Sequence, residues 1–297
     1  MRMKENTISA LIIFGVLALV GALWFAYQNP ALNPRLEIET YTIIRKWEMP
    51  ESLDEISGIS YISEDKVACV QDEEGIIYIY NLNTDLVDKK INFAKAGDYE
   101  GVAIVDSTAY VLESNGVLHL VERYMDSTFT TRGIKTPFSG KNNMESLTYD
   151  KANNRLLLVP KNKDLNSKSY KGIYVFNLEN HKIDEKPILK ISMTDSIFLS
   201  KRNKGKKGET KDFYPSDIAI NPLDGNIYVL EGKNPRLLIM DVNGKLLRLH
   251  KLNPKSFRQP EGITFSPDGT LYISNEGKKG LANILEVELE QHDTNHN

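Results

Sequence analysis

The chain has 297 residues, 26% of them charged, and a formal net charge of -3. That length allows one large β domain or two ordinary ones. The near-balanced charge supplies no uniformly basic surface, so no nucleic-acid partner is expected. Cys69 is the sole cysteine, which excludes an intrachain disulfide and a cysteine-rich zinc site.

Residues 1–7 carry Arg2 and Lys4, and residues 8–27 form an uncharged apolar run, ISALIIFGVLALVGALWFAY. A run of this length matches the hydrocarbon core of a bilayer. It exceeds the usual h-region of a signal peptide, and no small-x-small cleavage site follows it, which favours an uncleaved anchor over a cleaved leader. Trp24 and Tyr27 suit the membrane interface, and Arg2 and Lys4 place the N-terminus in the cytoplasm. The expected layout is a cytoplasmic segment 1–7, a single-pass transmembrane helix 8–27 and a linker 28–36. A domain over 37–290 and a disordered tail over 291–297 follow. In a bacterium this puts the anchor in the inner membrane and the domain outside the cytoplasm, in the periplasm.

Beyond the linker, a pattern repeats. Its first strands are marked by Ile59, Val102, Leu147, Ile218 and Ile263. The spacings are 43, 45, 71 and 45 residues. A period near 45 with several short strands in each unit is the signature of a propeller blade. Each unit continues with a turn and an apolar second strand, such as Ile227–Leu230, and then a third, such as Ile76–Tyr80. The turn Ser266-Pro267-Asp268-Gly269 shows the logic: proline presets φ, and glycine accepts the positive φ that follows. The long spacing is one period plus an insertion over about 196–212, which contains SKRNKGKKGETK. This basic stretch reads either as a solvated loop or as a mobile cover reaching anionic surfaces.

The fifth unit ends after its third strand, near Glu290, while residues 37–48 form a strand with no unit of their own. The expected fold is therefore all-β, a monomeric five-bladed propeller closed by that N-terminal strand and preceded by one transmembrane helix. Closure removes the open edges between first and last blades.

In a propeller, the starts of first strands and the ends of second strands meet around one mouth of the central channel. Acids gather at both. Candidate metal ligands at the starts are Glu55, Glu100, Glu145, Asp217 and Glu261. Candidate mouth residues at the ends are Asp72, Glu73, Glu113, Lys161, Glu231 and Glu276, with Lys161 breaking the acidic pattern. Glu100, Glu145 and Glu261 occupy equivalent positions, where units one and four have Ser57 and Ser216. Converging carboxylates repel unless a cation is bound or some stay protonated. An oxygen-only set suits Ca²⁺ as the expected cofactor, and an ammonium or guanidinium group of a ligand is the other candidate. Strand capping by solvated acids is the plainer alternative.

No nucleophile elbow, His-Glu-x-x-His or Walker loop is present, so nothing in the sequence assigns an enzymatic activity.

The segments Glu55-Ile56-Ser57-Gly58-Ile59, Asp98-Tyr99-Glu100-Gly101, Asn143-Met144-Glu145-Ser146-Leu147, Pro215-Ser216-Asp217-Ile218 and Gln259-Pro260-Glu261-Gly262-Ile263, together with Asp72-Glu73 and Asn275-Glu276-Gly277, resemble the SdiA-regulated (YjiK-type) family over about residues 40–290. The resemblance implies a bacterial envelope β-propeller related to NHL-type repeats, and it implies no reaction. The expected function is a membrane-anchored binding or scaffold module for an unidentified envelope ligand or protein. The alternative is a metal-dependent hydrolase of the phytase or lactonase sort, acting on an ester or phosphoester.

Overall fold

The computed structural model describes residues 20–21, 40–63, 65–198, 212–278 and 280–290. The anchor expected at 8–27 lies outside these residues except for Val20 and Gly21. Among the described residues, no helix is long and apolar enough to cross a membrane. The linker, the body of the basic insertion and the tail 291–297 also lie outside them.

The described residues from 40 to 290 fold as five sheets, four of four strands and one of five. β1 (Tyr41–Glu48) comes first in the chain. β2 (Ile56–Ser63), β3 (Lys66–Gln71), β4 (Ile76–Asn81) and β5 (Leu86–Asn92) make blade 1. β6 (Tyr99–Val105), β7 (Thr108–Glu113), β8 (Val117–Glu122) and β9 (Thr130–Lys135) make blade 2. Blade 3 has β10 (Met144–Asp150), β11 (Arg155–Pro160) and β12 (Tyr170–Asn177), with a split outer edge of β13 (Lys182–Ile183) and β14 (Leu189–Ser192). Blade 4 has β15 (Pro215–Ile220), β16 (Ile227–Glu231), β17 (Arg236–Met240) and β18 (Leu246–Lys251). Blade 5 has β19 (Pro260–Phe265), β20 (Leu271–Asn275) and β21 (Asn283–Leu289), and β1 completes it. The sheets are antiparallel throughout, as tight hairpins require.

The expected closure is present over Tyr41–Glu48, and residues 37–39 lie outside the described residues. β1 pairs antiparallel with β21, from Tyr41 opposite Leu289 to Glu48 opposite Asn283. Trp47 then crosses the seam: buried against blade 1, it donates its indole N–H to Leu82 O at 2.7 Å. The ring is thus closed by a sheet and pinned by an aromatic hydrogen bond.

Alternate residues of each strand face the two neighbouring blades. Five buried apolar clusters follow, one between each adjacent pair. In β16, Tyr228 and Leu230 pack toward blade 5 while Val229 packs toward blade 3. The innermost hairpins turn on residues that tolerate positive φ: Asp65, Asp106, Asn154 and Gly269, as short polar side chains and glycine do.

The two ends of the basic insertion meet. The rings of Phe198 and Phe213 lie 5.5 Å apart. The Arg236 guanidinium covers both and pairs with the fully buried Glu231.

Candidate functional site

The site is built by a recurring irregularity. In every innermost strand the register with its partner slips near the mouth: between Ile56 and Ile59, Tyr99 and Gly101, Met144 and Ser146, Pro215 and Asp217, and Pro260 and Gly262. A β-bulge leaves one residue unpaired and re-aims its side chain. The residues skipped in four of these strands are Glu100, Glu145, Ser216 and Glu261. Ser57 takes the matching position in blade 1.

One residue further on, the innermost strands touch. A Cβ placed on Gly58 would lie 2.7 Å from Glu100 O, one on Gly101 3.0 Å from Glu145 O, and one on Gly262 2.6 Å from Ser57 O. Side chains are excluded there by the neighbouring backbone. Ser146 and Asp217 complete this ring in blades 3 and 4, both buried. The innermost strands thus meet just past the bulged residues, and these residues line the mouth, or cup.

Asp217 shows what this position does. Its Oδ1 accepts the N–H of Leu147 at 3.2 Å and of Ile218 at 2.8 Å, and its Oδ2 accepts that of Ile263 at 2.9 Å. One carboxylate therefore joins blades 3, 4 and 5. The bulge moves this acid into the wall, and the structure does not bring it to the other candidate ligands.

Glu145, Glu100 and Glu261 do come together, around Lys161. Lys161 Nζ lies 2.5 Å from Glu145 Oε2, and Asn143 Nδ2 donates to Glu145 Oε1 at 2.6 Å. The Glu261 carboxylate rests over Gly232, where a Cβ would be 3.2 Å from both of its oxygens. Glu100 has no hydrogen-bond or ion-pair partner among the described residues. Burial pushes the Glu100 carboxyl up to about 10, and Glu145, Asp98 and Glu261 add to it. Burial takes Glu145 up to about 8, against the pull of Lys161, and Glu261 is raised by burial too. Burial works against the Lys161 charge, but Glu261, Glu145 and Glu100 outweigh it and keep the ammonium protonated. Burial without enough counter-charge disfavours ionised carboxylates. Burial thus favours the protonated forms of Glu100, Glu145 and Glu261, and a bound cation would favour the charged ones.

The other candidates divide. Asp72 follows β3, and Glu276 follows β20 and lies 3.4 Å from Lys278 Nζ. Burial raises the Glu276 carboxyl, against Lys278, and the Glu261 and Asp72 charges add to it. Glu55 and Glu73 are exposed, and the Asp72 charge, followed by burial, pushes Glu55 up. Glu113 and Glu231 turn outward along their sheets instead, to His119 at 3.1 Å and to Arg236. Asn143 and Gly232 are features the sequence reading missed. Aligning the residue after each second strand (Asp72, Ser114, Lys161, Gly232, Glu276) would have exposed the glycine. Asn143, two residues before Glu145, carries no comparable signal. Among the described residues, no three His, Cys, Asp or Glu side chains gather closely enough to hold a metal ion.

A family model described as SdiA-regulated matches residues 36–276 and 202–297. No curated protein matches the chain. Among solved structures, glutaminyl cyclase of Myxococcus xanthus is similar with a TM-score of 0.55 at 12% identity, covering 85% of this chain and 97% of that one. The PQQ-bound aldose sugar dehydrogenase of Streptomyces coelicolor gives a TM-score of 0.50 at 11% identity, covering 84% and 98%. At such identities the likeness shows the fold alone.

Proposed function

The chain belongs to the SdiA-regulated family, and from that premise we propose that it is a binding module whose cup receives a cationic group. One observation carries this reading: at bulges on three different blades Glu100, Glu145 and Glu261 lie close enough to act on one another's charge, around Lys161. An ammonium or guanidinium group of a ligand fits best, because Glu145 already receives an ammonium there. Ca²⁺ is the second chemistry and would require the carboxylates to turn inward together. Melting of the full-length chain with CaCl₂, with chelator and with ethylammonium chloride tests the proposal. No shift with either cation sinks it.

The apolar run 8–27 supports a further part of the proposal, that the propeller is held at the inner membrane with its binding face outside the cytoplasm.

A hydrolytic role is the second reading, favoured by one observation. Glu100 and Glu145 share the cup, both raised by burial. The Lys161 ion pair opposes that push on Glu145, while no ion pair among the described residues opposes it on Glu100, a difference that suits acid–base work. Turnover of ester, lactone or phosphoester substrates that is lost in Glu100→Gln would support it.

A further inference from the structure

The face opposite the cup carries a groove of about 1010 Å³ between blades 4 and 5. Leu223, at the tip of the β15–β16 turn, is 70% exposed, Ile44 53% and Leu247 39%. A leucine at a turn tip gains nothing from solvent, where polar residues and glycine are preferred. Leu223 leans across the crevice onto Gly269 of blade 5. Ile44 is thrown outward by the slip in β1 between Ile43 and Arg45. Tyr228 and Phe265, edge to face at 4.9 Å, line the same groove.

The charge around these apolar groups is one-sided. Asp224, Asp268, Glu286, Glu288 and Glu290 line the groove, against Arg248 and His250. No ion pair engages Glu286, Glu288 or Glu290 among the described residues. On either side lie β18 and β1, each the outermost strand of its sheet. Such edges accept an added extended segment. The volume is at the upper limit of small-molecule pockets.

We infer that this groove docks an extended segment of a partner protein, with aliphatic side chains in the crevice and Lys or Arg at its ends. Its occupant is distinct from that of the cup, so the propeller carries one binding site on each face.

The test is selection of short random peptides by display on the full-length chain, followed by fluorescence anisotropy of the enriched peptides. Enriched peptides should combine aliphatic and basic residues and weaken with added salt. Binding should fall about tenfold or more in Leu223→Asp and in Glu288→Lys. Leu223 and Glu288 are surface residues, so both variants should melt like the wild type. Failure to enrich peptides, acidic enriched peptides, or binding at wild-type strength by either variant overturns the inference. So does self-association of the wild type that Leu223→Asp abolishes, because the groove would then be an interface between copies of this chain.

Discussion

Lys161 Nζ, just past the end of β11, lies 2.5 Å from Oε2 of Glu145 in β10, at the mouth of the propeller. Glu145 is buried, so its charge depends on this partner more than an exposed acid's would. Lys161→Met should cost about 1–3 kcal/mol, below the about 3–5 kcal/mol of a fully buried pair because Lys161 is partly exposed. Urea melts near neutral pH check it. A cost near zero would show that protons already neutralise the acids without the lysine.

The Glu100 carboxyl has an ordinary value of 4.5 and stands at about 10 in the folded chain. The folded value is the higher, so folding takes up a proton. The resulting stability is full below about pH 4.5 and is lost as pH rises toward about 10. Glu145 adds the same trend up to about 8. The wild type should therefore lose melting temperature from about pH 6 to about pH 9, and Glu100→Gln should flatten that slope. Parallel slopes for the two proteins would contradict the assignment.

Asp217→Ala would leave the N–H groups of Leu147, Ile218 and Ile263 without their acceptor inside the wall. Each orphaned buried group costs about 1–3 kcal/mol, so a loss of about 3 kcal/mol or more is expected. Asp217→Gly, which restores the residue of three other blades but not the acceptor, should be no better. Equilibrium unfolding decides between this and a solvated acid, whose removal would cost little.

Trp47→Phe should keep most of the packing at the blade 5–blade 1 seam and lose the hydrogen bond to Leu82 O. The expected cost is about 1 kcal/mol, rising to about 3–5 kcal/mol for Trp47→Ala. Exchange of the β1 amides should quicken with the same ranking, because closure is the local event each variant weakens.

The repeat was legible because each blade restates one strand–turn–strand pattern, and the closing strand because residues 41–48 had no hairpin partner of their own. Glu100, Glu145 and Glu261 were legible because they fall at one repeat position. Asp217 and Glu55 were not, for the same physical reason: a bulge shifts register by one residue, and no pattern of side-chain types marks where it falls. Asp217 stands in the slot that Gly58, Gly101 and Gly262 hold elsewhere, and only backbone contacts reveal that slot as a close approach between neighbouring blades. Glu113 and Glu231 sit at the expected strand ends, but their partners His119 and Arg236 lie on the next strand outward.

The most direct test of the cup is isothermal titration of the full-length chain with ethylammonium chloride and, separately, CaCl₂, alongside Glu100→Gln and Glu261→Gln. The account predicts saturable binding of at least one cation, weakened about tenfold or more by either substitution. No binding of either cation, or binding that both variants retain at wild-type strength, would contradict it.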